Sequence, residues 1–133
     1  MFGEGSSKER MGIVVRSFGF KHGLPLDSDL VLDVRFLPNP FYVEELRNMT
    51  GNDRPVADFI RYPQTFQYLK LEEQLLDFLV PQYINEGKAQ LVISVGCTGG
   101  QHRSVFIANK LYEYLREKGY SVDVTHRDIP HRK

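Results

Sequence analysis

Apolar side chains along this chain follow two periods, and the switches between them divide it into strands and helices. Ile13 to Phe18 is a β-branched apolar run that halts at Gly19–Pro25, where two glycines and a proline mark a loop. Leu30 to Arg35 reads as a second strand, closed by Pro38 and Pro40, neither of which can donate to a sheet ladder. Asp33 therefore falls near a strand end. Residues 41–48 and 53–61 read as short helices on either side of Thr50-Gly51-Asn52. A longer helix is expected from about Pro63 to Asn85, carrying Phe66, Leu69, Leu75, Leu76, Leu79 and Ile84 at roughly helical spacing and kinked at Pro81. Gln90 to Val95 is a continuous apolar run of the kind buried on both faces of a parallel sheet. Ala108, Leu111, Tyr112 and Leu115 then repeat as one helical face, ending in Arg116, Lys118 and Gly119, which suit a helix C-terminus. Tyr120 to Thr125 returns as a strand. Strand, glycine turn, helix and strand make a right-handed βαβ unit. The fold class expected is a single layered α/β domain with a mixed or mainly parallel sheet flanked by helices, binding ligand beyond the carboxyl ends of its strands.

Composition narrows the function. With 133 residues, 41% hydrophobic and 26% charged, the chain suits one globular domain. Residues 1–10, all glycine, serine, charge and two N-terminal apolar residues without periodicity, read as a linker or remnant outside the fold, which spans 11–133. Seventeen basic and seventeen acidic residues cancel, so no global field favours nucleic acid or membrane. Residues 97–133 nevertheless hold seven basic and four acidic side chains, which makes that segment the better partner for an anion. Cys97 is the single cysteine, so an internal disulfide and a cysteine-rich zinc site are both excluded. The N-terminus lacks a signal-peptide core and the best apolar run, Leu75 to Val80, is broken by Asp77; a cytoplasmic location without membrane insertion is expected.

The stretch Val95 to Ser104 carries the chemistry. Its glycines, Gly96, Gly99 and Gly100, lie between the best strand and the best amphipathic helix, where backbone N–H groups and a helix N-terminus together form an anion pocket. Arg103 at the helix start adds a guanidinium suited to phosphate. The plainer reading, a tight turn that needs glycine only for its backbone angles, leaves Cys97, His102 and Arg103 without a reason. Cys97 through Arg103-Ser104 also fits the Cys-x5-Arg-Ser/Thr signature of cysteine-dependent phosphatases, with Asp33 the one candidate general acid. Against that activity, Gly96 stands where those enzymes usually have histidine, and the chain has no tryptophan for their general-acid loop. No enzyme is expected.

Three longer segments point elsewhere. Ser17 to Pro25 with Asp33-Val34-Arg35-Phe36-Leu37-Pro38-Asn39-Pro40 and Glu45 to Gly51, then Gly96 to Ser104, then His126-Arg127-Asp128, resemble the C-terminal domain of the RapZ family over nearly the whole chain. The resemblance implies a regulatory sensor of glucosamine-6-phosphate. It also implies a part in binding small regulatory RNA and presenting it to an endoribonuclease, with homo-oligomers expected. Nucleotide (ATP or GTP) belongs to that family's N-terminal P-loop domain; Gly-x4-Gly-Lys-Ser/Thr does not occur here, so no cofactor is expected in this domain. Carried over by residue, the ligand site comprises Cys97, Thr98, Gly99, Gly100, Gln101, His102 and Arg103, faced by Asp33 and Arg35. Phe41 follows Pro-Asn-Pro where the family often has histidine.

The remaining candidates are weaker. His22 in the first loop is a possible site residue and equally a loop histidine bonded to backbone, while Lys21 beside it more often belongs to solvent. Arg127, Arg132 and Lys133 in the tail are candidate RNA phosphate contacts. His102, His126 and Asp33 lack metal-ligand spacing, so no metal is expected. An interaction module using the sheet and helix surface for self-association is the third class of reading.

Overall fold

The computed structural model describes residues 11–130. Four strands, β1 (Gly12–Gly19), β2 (Leu30–Asp33), β3 (Gln90–Cys97) and β4 (Ser121–His126), form one sheet in the order β2-β3-β1-β4. Every pair is parallel, so the sheet is wholly parallel where the sequence left mixed pairing open. Three helices accompany it: α1 (Arg54–Ile60), α2 (Pro63–Glu86) and α3 (Arg103–Glu117). None is long and apolar enough to cross a membrane. The linker reading of residues 1–10 lies outside the described residues.

One apolar cluster holds the layers together. Ile13 and Val15 of β1 with Leu91, Ile93 and Val95 of β3 meet Ile107, Leu111 and Leu115 of α3, and Val56, Ile60, Leu69, Leu76 and Val80 bring α1 and α2 into the same core. Pro63 opens α2 at a position where a missing N–H costs nothing, Pro81 is accommodated within it, and Gly87 at φ 92° ends it in a left-handed cap. The opposite face of the central strands is closed by the loop before β2. There Ser28 and Ser94 hydroxyls lie 2.6 Å apart, Asp29 accepts from the Val92 amide at 2.8 Å and pairs with Lys88 at 2.8 Å, and Asp27 takes a two-pronged bond from Arg16.

Two elements differ from the sequence expectation. Residues 41–48 are two single 3-10 turns, Pro40–Tyr42 and Glu44–Leu46, instead of a helix. Asn39 caps the Phe41 amide, and Val43 between the turns is extended, so no run of i to i+4 bonds can start. β2 stops at Asp33 because that carboxylate turns back to accept the Arg35 amide at 3.0 Å.

Register aligns the carboxyl ends of the strands. Gly19 pairs with Cys97, and Asp33 with Gly96. The chain leaves β1 toward β2 on one side and leaves β3 toward β4 on the other, so the crevice between these two central strands is a topological switch point, the place where ligands sit in such sheets. At this edge a Cβ on Gly19 would collide with the backbone of Gly99 and Gly100, whereas one on Gly12 meets nothing within 4 Å. Gly19→Ala is expected to lower urea-unfolding stability by about 2 kcal/mol, and Gly12→Ala to change it by about 0.5 kcal/mol or less.

Candidate functional site

The loop from Thr98 to His102 leaves the buried strand β3 and enters α3 at Arg103. Its path is fixed from three sides, each time through a carbonyl. Thr98 O accepts from the Lys21 amide at 3.2 Å, Gln101 O from the Gly51 amide at 2.8 Å and His102 O from the Phe106 amide at 3.1 Å. Gly51 is needed there, since a Cβ on it would overlap the His102 carbonyl and the Phe106 amide. Gly100 sits at φ 77°, a left-handed conformation natural to glycine. Three of the loop's carbonyls are thus tied down, while the amides from Thr98 to Arg103 donate to no group among the described residues.

All of these residues except Gly100 line a cavity of about 430 Å³. Cys97, Thr98, Gly99, Gln101, His102 and Arg103 line one part of it. Lys21, Asn39, Phe41, Tyr42, Arg47 and Asn48 line the rest. Six residues singled out from the sequence loop therefore share the cavity, while Gly100, His22, Asp33 and Arg35 do not line it. Gly100 is buried against Gly19. His22 is exposed in the single 3-10 turn after β1. Asp33 and Arg35 hold each other through Nε and Nη2 bonds of 2.9 and 2.7 Å, and the Arg35 guanidinium rests 4.1 Å from the Phe20 ring centroid. Those bonds keep the Asp33 carboxyl below the ordinary value.

Arg103 does two things. Only 4% exposed, it sends Nη1 to the carbonyls of Arg35 at 2.6 Å and Leu37 at 3.2 Å, clamping the segment after β2, while its buried Nε has no partner among the described residues. The guanidinium is thus part wall and part unspent donor. Cys97, 2% exposed, donates its thiol to Ser104 Oγ at 3.2 Å. Gly96 is excluded from carrying a side chain, because the rings of Phe18 and Phe20 fill the space a Cβ would need. His102 is buried, its Nε2 donating to the Arg47 carbonyl at 3.2 Å, and burial lowers its pKa.

The tail is used structurally. Asp128 accepts the Gly19 amide at 2.7 Å, and Arg127 bonds Asp128 and the Gly23 carbonyl at 2.8 Å each. His126 bridges Ser17 at 2.7 Å and Asn109 at 3.0 Å, and burial lowers its pKa too. Arg132 and Lys133 lie outside the described residues. No cluster of three or more potential metal ligands occurs among the described residues.

Asn39, Tyr42, Arg47 and Asn48 were missed as site residues. The signal was present, since Asn39 and Glu45–Gly51 belong to the segments that carry the family resemblance, but reading 41–48 as one helix hid where Arg47 and Asn48 would point.

Two stability effects follow. Arg103→Ala strands two carbonyls and is expected to cost about 2 kcal/mol in urea unfolding. Both His102 and His126 have folded pKa values below the ordinary 6.5, so the unfolded chain binds more protons as pH falls. The melting temperature should be level above about pH 7 and fall toward about pH 5, and the His102→Gln/His126→Gln double variant should lose that slope.

The family model described as the RapZ C-terminal domain matches residues 11–130. A nucleotide-binding protein of Alkaliphilus oremlandii is 56% identical over 126 residues, covering 94% of this chain and 43% of its own length. Nucleotide-binding proteins of Clostridium acetobutylicum and Clostridium botulinum are each 54% identical, covering 95% and 97% of this chain and 43% and 45% of their own lengths. This chain spans less than half the length of these relatives. It belongs to the RapZ C-terminal domain family.

Proposed function

We propose that this domain is a ligand-sensing module that binds a phosphorylated sugar in the cavity beside the Thr98–Arg103 loop, and that glucosamine-6-phosphate, the ligand implied by the family resemblance, is the first candidate. The observation that carries the reading is the set of unspent amides of Thr98, Gly99, Gln101, His102 and Arg103 at the start of α3, joined by Lys21, Arg47 and the partly unsatisfied Arg103. A fully deprotonated phosphate ester offers only acceptors, and each amide or cation there supplies a donor.

The reading is one of binding and not of turnover. None of the twelve cavity-lining residues is a carboxylate, so the aspartate that serves cysteine-dependent phosphatases as general acid has no counterpart beside the cavity, and the Cys97 thiol is engaged as a hydrogen-bond donor to Ser104 Oγ. Nucleotide, named for the relatives, is assigned to the portion of those proteins that this chain does not span.

A thermal-shift titration tests the assignment. Millimolar glucosamine-6-phosphate is expected to raise the melting temperature of the wild type, because a ligand that binds only the folded state adds to its stability. Lys21→Ala, at an exposed position, should keep the unliganded melting temperature and weaken the shift. No shift in the wild type would sink the sugar-phosphate reading. Hydrolysis of p-nitrophenyl phosphate by the wild type and not by Cys97→Ser would show turnover instead.

A further inference from the structure

Residues 35–51 run from just after β2 to just before α1 and hold no strand and no helix beyond the two single 3-10 turns. Their backbone bonds run largely to near neighbours, as from Val43 N to Pro40 O at 2.9 Å and from Met49 N to Leu46 O at 3.0 Å. Leu37 and Pro40 are buried, but Phe41 and Tyr42 are 49% and 80% exposed. Short-range bonds and exposed side chains mark a stretch of low local stability.

Four hydrogen bonds tie this segment to the loop before α3, and they end on three consecutive residues. Arg103 Nη1 donates to the carbonyls of Arg35 at 2.6 Å and Leu37 at 3.2 Å, His102 Nε2 donates to that of Arg47 at 3.2 Å, and the Gly51 amide donates to Gln101 O at 2.8 Å. Gln101, His102 and Arg103 also line the cavity and carry amides with no partner among the described residues. The segment in turn supplies Asn39, Phe41, Tyr42, Arg47 and Asn48, five of the twelve lining residues. The cavity is therefore a gap between the loop and a strap.

Charge bears on what holds the gap closed. Arg47 belongs to the strap, Lys21 and Arg103 to the rest of the wall, and no lining residue is a carboxylate, so like charges repel across the cavity. An anion between them reverses the balance, because it can touch both sides only while the strap is down.

We propose that residues 35–51 form a strap that opens locally and is drawn down by a bound phosphate, so that occupancy of the cavity is reported as the position of the strap and of its exposed Phe41 and Tyr42. This rests on the phosphate-binding reading above and adds the element that carries its signal. Closure and affinity are then reciprocal, and loosening the strap weakens the ligand even where the altered residue lies outside the cavity.

Hydrogen exchange read by mass spectrometry, with calorimetry in parallel, tests the strap in the whole chain with inorganic phosphate and glucosamine-6-phosphate as probes. Leu46→Ala and Met49→Ala are the diagnostic variants, since both side chains pack half-buried against the core and neither lines the cavity. Saturating phosphate is expected to slow exchange across residues 36–50 of the wild type about tenfold and to leave α2 unchanged. Each variant should speed exchange of the strap without ligand and weaken phosphate binding about threefold. If phosphate binds the wild type but both variants keep wild-type strap exchange or wild-type affinity, the segment is a rigid rim and the proposal is overturned, while the sugar-phosphate reading stands. If inorganic phosphate binds and glucosamine-6-phosphate does not, the sugar reading falls and the strap is decided by the phosphate data. If neither binds, both fall.

Discussion

A close approach of two backbones governs this structure. Parallel pairing carries β1 and β3 to the same edge, where Gly19 meets Gly99 and Gly100 with no room for a side chain between them. The contact presses the loop after β3 against the end of β1. The loop's carbonyls then turn toward Lys21, Gly51 and Phe106, leaving its amides without protein partners among the described residues. A row of unspent donors at a helix start is ordinarily covered by a capping side chain, but His102 at that position makes no such bond. What glycine permits at the strand edge becomes, one peptide further on, the chemistry of the site.

Electrostatics reinforce the geometry by subtraction. Carboxylates in this region are already committed: Asp33 to Arg35, Asp128 to Gly19 and Arg127, Asp53 to the Thr50 amide. Each bond fixes a loop and also withdraws a negative charge from the cavity. Arg103 links the two functions, since its Nη1 holds the segment that carries Arg35 and Leu37 while the rest of the guanidinium stays buried at the cavity wall. The scaffold and the site therefore share residues, and a change at Arg103 is felt by both.

Much of this was legible in the sequence, for a physical reason. β3 and α3 carry strong and distinct periods, and the glycine-rich turn between them, which lines the cavity, stands out without knowledge of any distant contact. The Asp33–Arg35 pair was not foreseen: both residues were expected to face the ligand, and in the structure their charges are spent on each other. Less legible were effects that depend on long-range partners. The carbonyls that occupy Arg103 come from residues far earlier in the chain, so a charge that suggests a phosphate fork turned out to be half structural. Arg47 and Asn48 were hidden by a helical reading that Asn39, by capping Phe41, and extended Val43 defeat.

Amide-resolved NMR during titration with inorganic phosphate tests the central claim most directly, since it reports the individual N–H groups on which the account depends. The account predicts saturable downfield shifts of the Thr98 to Arg103 amide protons, larger than those anywhere else in the chain. Unmoved resonances in that segment, with the largest changes elsewhere, would contradict it.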